Sequence, residues 1–463
     1  MTQSLDEALE SVGDPTEYIR LIGPGASSRH LRLFVDLPPE FVNWREEQQA
    51  WKESCALADL SHHMTDLHVE GPDALDLFSD LGVNDFSNVE PGKAKQFVAC
   101  SPDGYLIGDG ILFCLGDDEY NLVGYGPINW VQFNLETGDY DATATRDEHG
   151  GVREGPPKTF RYQVQGPEAL KVIRGAIDGD LPEVPFFNFR PITIAGREVN
   201  ALRHGMMDEP GFEIFGPWEH AEAVKEELLT VGEEYDMLQI GGKAYPTNVI
   251  PTAWMSIPVP AIYHDDPTMT EYRQWLDADS FEGALAVGGS FESDDVRDYY
   301  LDPVEVGYGR FIDFDHDFVG KEALREKVEN PQREKVTLVW DPADATELFG
   351  SMFDADTEYR YAELPIPEWS LAQTDAVEKD GELVGSANNT RYLFWEQRLF
   401  SLACVDTDVA EPGTEVTLVW GEPSGDSPNP RVEPHEQMEV TATVAPAPYY
   451  EDKRKTAADY SAD

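Results

Sequence analysis

A lysine and a tyrosine two positions apart, Lys243 and Tyr245, lie in the stretch Gly-Gly-Lys-Ala-Tyr-Pro-Thr-Asn at residues 241–248. Pro246 disfavours helical geometry at the residue before it, so we expect Tyr245 to be extended. Side chains two positions apart in an extended segment share a face, and a cation beside a phenol favours the phenolate. The pair therefore predicts proton transfer at Tyr245. A loop tyrosine with its hydroxyl in water is the alternative.

Other familiar catalytic patterns are missing, since the sequence contains no phosphate-binding loop, dinucleotide glycine fingerprint, His-Glu-x-x-His or Gly-x-Ser-x-Gly. His62 and His63 are adjacent and would face opposite sides of a strand, so they do not predict a shared metal ion. The cysteines are too few and too scattered for a disulfide scaffold or a zinc knuckle: Cys55, Cys100, Cys114 and Cys404. We expect no metal site.

The composition is strongly acidic, with 89 Asp and Glu against 34 Lys and Arg and a net charge of −55. Such a surface repels nucleic acid and anionic membranes. At ~1 M salt the Debye length falls to roughly 3 Å and self-repulsion fades, so we predict a halophilic protein of a salty cytoplasm. The first residues do not form a signal peptide, and no apolar run reaches the ~18 residues of a membrane span. We expect a soluble intracellular protein.

The chain of 463 residues exceeds what one hydrophobic core usually supports, so several domains are expected. We expect four parts: a loose polar lead-in over residues 1–30 with one possible short helix, an α+β body over 31–330, a β-barrel or sandwich over 334–448, and a mobile tail over 449–463. The pentapeptide Val-Thr-Leu-Val-Trp occurs at residues 336–340 and again at 416–420, as in separated strands of a β-domain.

The body contains an internal repeat, because residues 69–75 read Val-Glu-Gly-Pro-Asp-Ala-Leu and residues 164–170 read Val-Gln-Gly-Pro-Glu-Ala-Leu. Each copy predicts a strand, a glycine turn, a proline at the first helical position and an acid at the helix N-terminus. Two such units predict an internally duplicated α+β body with a site between its halves. Residue spacing predicts further elements: helices over 40–58, 218–237 and from Lys321, a strand over 64–70, a meander over 96–125, and strands over 186–202 and 211–215.

Several stretches match a known pattern: Asp59-Leu-Ser-His-His-Met64 with Val69-Glu-Gly-Pro-Asp-Ala74, Gly104-Tyr-Leu-Ile-Gly-Asp109, Pro210-Gly-Phe-Glu-Ile214, Asp302-Pro-Val-Glu-Val-Gly-Tyr-Gly309 and Asp317-Phe-Val-Gly-Lys-Glu-Ala-Leu324. Together they resemble the T-protein family, the folate-binding component of glycine cleavage. They span nearly the whole chain. The resemblance implies a T-protein-like fold that binds tetrahydrofolate.

A second set of stretches is more specific: Glu40-Phe-Val-Asn-Trp-Arg45, Gly92-Lys-Ala-Lys-Gln-Phe97, Arg203-His-Gly-Met206, Ala244-Tyr-Pro-Thr-Asn248 and Val432-Glu-Pro-His-Glu-Gln-Met438. These are similar to tetrahydrofolate-dependent O-demethylases of methoxylated aromatic acids, of the vanillate/3-O-methylgallate and syringate type. The tyrosine matched by Tyr245 is catalytic in that group, which implies the same role here. A tyrosine of pKa ~10 would exchange a proton with a departing phenol nearly in balance.

The resemblance also implies a cofactor site. Glu213 would accept the paired N–H donors of the pterin ring, and Asp109 would orient N5 or the substrate unless it is a plain turn residue. Further cofactor contacts are expected from Gln163, Gln165, Trp254 and Arg203. One of the two glutamines would be structural, and the indole would either stack on the aminobenzoyl group or pack in the core.

The substrate side departs from the O-demethylase pattern. Tyr125 stands near the position where those enzymes carry an arginine thought to meet the substrate carboxylate, Phe34 replaces a tyrosine, and Leu60 replaces a glutamine. His63, from a matched stretch, completes the expected substrate pocket. An aromatic carboxylate is therefore in doubt as the substrate, unless Arg32 supplies the missing charge.

Four functions stay open. The first is O-demethylation of a small-molecule donor onto tetrahydrofolate. The second is glycine-cleavage aminomethyl transfer, which the run Arg203-His-Gly-Met-Met-Asp-Glu-Pro210 does not favour because the usual Arg-Thr-Gly-Tyr-Thr-Gly-Glu run is replaced. The third is sulfonium or methylamine demethylation. The fourth is non-enzymatic folate binding, whose Lys-Gly-Cys-Tyr motif is absent. The first is our prediction, with the oligomeric state left open.

Overall fold

The described chain opens with two short helices. The computed structural model describes residues 3–21, 28–354, 358–423, 425 and 432–455. Helices α1 (Leu5–Val12) and α2 (Pro15–Arg20) follow each other directly, and Ser4 and Glu7 close a reciprocal capping box at the start of α1. The apolar side of α1 is buried in the core of the body. The prediction of a loose lead-in with one short helix is therefore wrong for the described residues.

The first half of the body is a five-stranded antiparallel sheet in the order β3-β4-β5-β2-β6. Between residues 44 and 147 the chain forms, in order, α3 (Trp44–Glu53), β1 (Ala56–Asp59), β2 (Thr65–Glu70), α4 (Ala74–Leu81), β3 (Lys93–Cys100), β4 (Leu106–Gly116), β5 (Glu119–Gly124), α5 (Gly126–Thr137) and β6 (Thr143–Asp147). Of these strands, β1 belongs to the other sheet of the body. The predicted antiparallel meander is confirmed by β3, β4 and β5.

The second half is a six-stranded sheet in the order β11-β1-β7-β10-β9-β8. Strand β1 precedes the first half in the chain but pairs in this sheet. Its own elements are β7 (Thr159–Gln165), α6 (Ala169–Ala176), β8 (Phe189–Ile194), β9 (Arg197–Leu202), β10 (Gly211–Pro217), α7 (Ala221–Gly232) and β11 (Leu238–Ile240). Both halves thus run strand, helix, three-strand meander, helix, strand, which is the duplication that the repeat predicted.

The two repeat copies explain why each needs its glycine. Gly71 and Gly166 have φ of 145° and 135°, and a Cβ there would lie 2.4 Å and 2.7 Å from a backbone carbonyl oxygen. Helices α4 and α6 then begin after Asp73 and Glu168, which are their N-cap residues. The prolines were predicted at the first helical position, but they lie two residues earlier, in the turn itself.

A connecting region joins the body to the last part of the chain. It contains α8 (Val249–Thr252), α9 (Pro267–Trp275), β12 (Val287–Gly288) and α10 (Lys321–Glu329). Single 3₁₀ turns occur at Arg29–Leu31, Trp218–His220, Glu233–Tyr235, Tyr245–Asn248, Val296–Tyr299 and Gly309–Phe311. Within the described ranges, no helix combines the length and apolarity that a membrane crossing requires.

The last part is a closed barrel in the order β13-β17-β16-β15-β18-β19, which decides between the predicted barrel and sandwich. Its elements are β13 (Arg333–Trp340), α11 (Pro342–Ser351), β14 (Ala372–Gln373), β15 (Asp375–Lys379), β16 (Glu382–Leu393), β17 (Arg398–Asp406), β18 (Glu415–Trp420) and β19 (Met438–Ala445). The two identical pentapeptides end in Trp340 and Trp420, whose rings meet at 5.5 Å in the barrel core.

Residues 449–455 form what we call the C-terminal strap. Lys453 Nζ lies 2.7 Å from Glu209, its backbone N–H donates to the Asp208 carbonyl, and the Tyr450 hydroxyl donates to Glu396 at 2.7 Å. The prediction of a mobile tail is therefore wrong for these residues. The rest of that predicted tail, 456–463, lies outside the described residues.

Candidate active site

Residues of both sheets line a cavity of about 800 Å³. This volume lies within the roughly 300–1,000 Å³ that small-molecule sites occupy. The barrel contributes Lys335, and the C-terminal strap contributes Arg454 and Lys455. Seven of the twelve predicted site residues line it: Leu60, His63, Asp109, Tyr125, Glu213, Tyr245 and Trp254. Five do not: Phe34, Gln163, Gln165, Arg203 and Lys243.

Asp109 presents a carboxylate to the cavity from strand β4, not from a turn. Three donors converge on Oδ2: the Gln96 amide at 2.7 Å, the Tyr308 hydroxyl at 2.8 Å and the Trp254 indole N–H at 3.1 Å. No described residue donates to Oδ1. Burial raises the pKa of Asp109 to about 6, although the three hydrogen bonds and the nearby Lys335 ammonium lower it. The group can therefore gain or lose a proton near neutral pH.

Glu213 lies on β10, beside Arg161 on β7. The guanidinium donates to Oε1 of Glu213 at 3.1 Å and also pairs with Asp66. Burial raises the pKa of Glu213, opposed by Arg161. The rings of Phe113 and Phe215 lie 5.0 Å and 5.6 Å from the guanidinium. Arg161 is not among the predicted site residues, although a lone arginine within the buried strand Thr159–Gln165 indicates an internal ion pair.

Tyr245 stands in a 3₁₀ turn, Tyr245–Asn248, so the predicted extended geometry is wrong. Pro246 is accommodated in this first turn because an N–H there would have no helical partner. The Tyr245 hydroxyl lies 3.4 Å from Nε2 of His63. Burial, and after it the Glu213 carboxylate, raises the pKa of Tyr245, which keeps the hydroxyl protonated as a hydrogen-bond donor.

Lys243 does not share a face with Tyr245, because the segment curls instead of extending. Its Nζ lies 3.6 Å from the Glu40 carboxylate, and its side chain is 41% exposed. The predicted pairing of this lysine with the phenol is therefore wrong. Glu213, which disfavours the phenolate, is the charged group that influences Tyr245.

Three rings line the cavity on the side of Tyr245, and we call His63, Tyr125 and Phe281 the aromatic wall. Tyr125 stacks on Phe281 with ring centroids 5.0 Å apart and lies 6.5 Å from the His63 ring. Burial lowers the pKa of His63 to about 4, so its imidazole is neutral at pH 7. Leu60 adds an aliphatic surface to this side of the cavity. The polar atoms of the aromatic wall are the His63 ring nitrogens and the Tyr125 hydroxyl.

Phe34 and Arg32, both considered for the substrate pocket, do not line the cavity. Phe34 packs behind the cavity, with its ring 5.7 Å from His63 and 6.0 Å from Tyr245. Arg32 is exposed and does not line the cavity. Arg161 does line it, but two carboxylates already engage its guanidinium. Neither Arg32 nor Arg161 therefore offers a free positive charge to the substrate side of the cavity.

The two glutamines hold a loop instead of lining the cavity. The Gln163 amide donates to the carbonyl of His204 at 2.9 Å. The Gln165 amide donates to the carbonyls of Met207 and Glu209 at 3.0 Å and 2.7 Å. Their oxygens are buried with no hydrogen-bond partner among the described residues. Both glutamines, not one, thus have a structural role.

His204 also lines the cavity, although it is not among the predicted site residues. Both ring nitrogens are buried without a hydrogen-bond partner in the described part of the chain, and the ring lies 4.8 Å from that of Phe187. Burial lowers the pKa of His204 to about 3, so the neutral ring offers a ligand one donor and one acceptor. Its neighbour Arg203 instead donates to the carbonyls of Val184 and Arg454, each at 3.4 Å.

The fold agrees with comparisons with known proteins. The family model of the GCVT N-terminal domain matches residues 25–248. The solved structure of glycine cleavage system aminomethyltransferase T from Bartonella henselae has the same fold, with a TM-score of 0.59 and 16% identity over 90% of this chain and 91% of that one. The chain belongs to the glycine-cleavage T-protein family.

Curated relatives cover nearly the whole chain. Syringate O-demethylase from Sphingobium sp. (strain NBRC 103272 / SYK-6) is 40% identical over 97% of this chain and 96% of its own length. Sesamin methylene transferase from Sinomonas sp. (strain No.22) is 26% identical over 92% and 93%. The aminomethyltransferase of Oceanobacillus iheyensis is 28% identical over only 64% of this chain. The demethylase therefore matches both more closely and over a greater length than this aminomethyltransferase.

Proposed function

We propose that this enzyme transfers a methyl group from an O-methylated aromatic compound to N5 of tetrahydrofolate. The observation that supports this most strongly is that Asp109, Glu213 and Tyr245 come from three separate segments to one cavity. The 40% identity to a syringate O-demethylase over 97% of the chain supports a methoxy-aromatic donor.

The cavity residues fit a reduced pterin. Oδ1 of Asp109 and Oε2 of Glu213 receive no hydrogen bond from the described protein, and His204 has two unpartnered ring nitrogens. A pterin presents adjacent N–H groups that carboxylate oxygens accept. Tetrahydrofolate would supply the nucleophilic nitrogen that takes the methyl group. We assign the pterin N–H groups to Glu213.

The proton chemistry falls to two side chains. Asp109, with a pKa of about 6, is mostly ionised at pH 7. Its Oδ1 would take up the proton that N5 of tetrahydrofolate loses when the methyl carbon leaves the aryl oxygen, as a phenolate, and bonds to N5. Tyr245 donates a hydrogen bond to the departing oxygen. Because burial raises its pKa above that of an ordinary phenol, hydrogen-bond donation is more favourable than the balanced proton exchange expected from the sequence. Neutral His63 positions this hydroxyl.

The aromatic wall indicates the kind of donor. Its rings and Leu60 exclude water from the reacting oxygen and offer stacking to an arene. Because the described wall carries no free cation, we propose an uncharged methoxy-arene in preference to an aromatic carboxylate. A sulfonium or methylammonium donor is the second candidate, since cations also bind against aromatic faces.

The charge of the chain supports a salty cytoplasm as the working environment, without nucleic-acid or membrane partners. With a net charge of −55, the folded state repels itself unless salt screens it. We expect activity to fall by at least roughly tenfold after dialysis from ~2 M to ~0.05 M salt and to return when salt is restored. Undiminished activity in dilute buffer would contradict this proposal.

The reaction is tested by incubating the protein at high salt with tetrahydrofolate and one donor at a time. The donors are an uncharged methoxyphenol, syringate, a sulfonium compound and a methylamine, and the product measured is 5-methyltetrahydrofolate. We expect product from the methoxyphenol. Product only from syringate would contradict the donor class, and binding of tetrahydrofolate without product from any donor would favour the non-enzymatic alternative.

A further inference from the structure

Two cations at the cavity stand out in a chain with 89 acidic residues. Arg310 and Lys455 both line the cavity, and neither forms an ion pair or a hydrogen bond with any residue in the described ranges. Three other lysines of the cavity instead donate to backbone carbonyls: Lys93, Lys95 and Lys335. Arg310 lies in the 3₁₀ turn Gly309–Phe311, with its guanidinium 4.8 Å from the ring centroid of Phe311. Lys455 lies at the end of the C-terminal strap, with Nζ 5.1 Å from the ring centroid of Phe186.

The two cations line the same cavity, and the charge of Arg310 acts on Lys455. The pKa of Lys455 is lowered first by burial and then by Arg310, with Asp452 opposing and Arg454 adding to the effect. Asp452 cannot neutralise Lys455 fully, since both of its oxygens accept hydrogen bonds from Arg454. Placing like charges together costs free energy unless an anion binds between them.

Contacts of Lys453 and Arg454 hold the C-terminal strap in place next to Lys455. Arg454 donates from Nη1 to the Gly205 carbonyl at 2.9 Å, on the loop that also carries His204 into the cavity. Lys453 pairs with Glu209 at 2.7 Å on the same loop. From the inner side, Gln163 donates to the His204 carbonyl. The strap therefore places Lys455 on the same side of the cavity as His204.

We propose that Arg310 and the strap residue Lys455 bind the carboxylates of the γ-linked glutamate tail of folate. The proposal rests on the proposed function, because it assumes that the pterin occupies the Glu213 end of the cavity. A folate tail carries two carboxylates with one glutamate and gains one more with each added glutamate. Longer tails should therefore bind more tightly.

The test measures equilibrium binding of three compounds at the salt concentration that maintains activity: tetrahydrofolate with one glutamate, its triglutamate form, and 6-methyltetrahydropterin, which has no tail. The variant is Arg310→Gln combined with Lys455→Gln. The matched control is Arg45→Gln combined with Lys171→Gln, which removes two exposed charges outside the cavity. Arg45, like Arg310, lies over a neighbouring ring, at 5.3 Å from Trp44.

In the wild type and the control, we expect the triglutamate to bind several-fold more tightly than the monoglutamate. In the variant, the triglutamate should bind about tenfold more weakly than in the wild type, since each exposed ion pair contributes about two- to fivefold. Affinity for the tail-less pterin should not change. An unchanged ratio of triglutamate to monoglutamate affinity in the variant, or an equal loss for the tail-less pterin, would overturn the tail site. Failure of the wild type to bind either the folates or the pterin would instead contradict the proposed function.

Discussion

The two sides of the cavity are built by different means. On the cofactor side, Asp109 and Glu213 are held by donors from neighbouring strands and loops, three on one carboxylate and an arginine on the other. On the donor side, aromatic rings pack against Tyr245, whose hydroxyl has one hydrogen-bond partner among the described residues, His63 at 3.4 Å. Hydrogen bonds fix direction, whereas apolar packing tolerates changes of shape. We infer that the site is strict about its cofactor and permissive about its donor.

The largest expected effect comes from Tyr245→Phe. Removing the donor to the departing oxygen should lower turnover about 10²- to 10⁴-fold while tetrahydrofolate binds normally. Tyr162→Phe is the matched control, because that hydroxyl is buried outside the cavity and donates to the Ala221 carbonyl at 3.2 Å. Turnover by Tyr245→Phe within about twofold of wild type would remove the hydroxyl from the mechanism.

Asp109→Asn should lower turnover about a hundredfold, because the amide cannot take up a proton. The carboxylate is needed in its charged form, and its pKa is raised to about 6, so wild-type activity should rise with pH, pass half of its maximum at about pH 6 and level off above that. The residual activity of the variant should lack this inflection. A pH–rate profile of both proteins decides the point, and an inflection retained in Asp109→Asn would assign it to another group.

Glu213→Gln should weaken tetrahydrofolate binding about 10- to 100-fold, since a hydrogen bond to a charged acceptor is lost. Asp66→Asn is the control, because it removes the other carboxylate that pairs with Arg161. We expect that variant to bind within about threefold of the wild type. Equal losses in both variants would mean that the state of Arg161, not a direct pterin contact, controls affinity.

The smallest effect is expected on the donor side. No described residue forms a hydrogen bond with the Tyr125 hydroxyl, whereas its ring stacks on Phe281 at 5.0 Å. Tyr125→Phe should therefore change kcat/KM for an uncharged methoxyphenol by less than about threefold. A loss greater than about tenfold would show that the donor side is as strict as the cofactor side.

The parts of this fold that local sequence determines could be predicted. Alternation of apolar residues defines the meander β3–β5 and the strands of the barrel, and the repeated glycine turns mark the two halves. The geometry at Tyr245 could not be inferred in the same way. Proline is compatible with an extended predecessor and also with the first turn of a helix, and packing selected the turn.

The remaining site residues depend on contacts between distant segments. The amides of Gln163 and Gln165 meet a loop about forty residues later in the chain, so their partners cannot be derived from their own spacing. The sequence of the C-terminal strap is typical of a polar tail. Its order depends on Glu209 and Glu396, which bind it from distant parts of the fold. The resemblance indicated Glu213 as a cofactor carboxylate. The side chains that hold it and the neighbouring loop, Arg161 and the two glutamines, could not be identified from the sequence in the same way.

The most direct test of the account follows the methyl group itself. A methoxyphenol with a ¹³C-labelled methyl group is mixed with excess enzyme and tetrahydrofolate at high salt, and a single turnover is analysed by NMR. We predict that the label appears on N5 of the folate in equal amount to the dihydroxybenzene formed from the methoxyphenol. Label recovered as methanol or formaldehyde, or formation of the dihydroxybenzene without tetrahydrofolate, would contradict direct transfer to the cofactor.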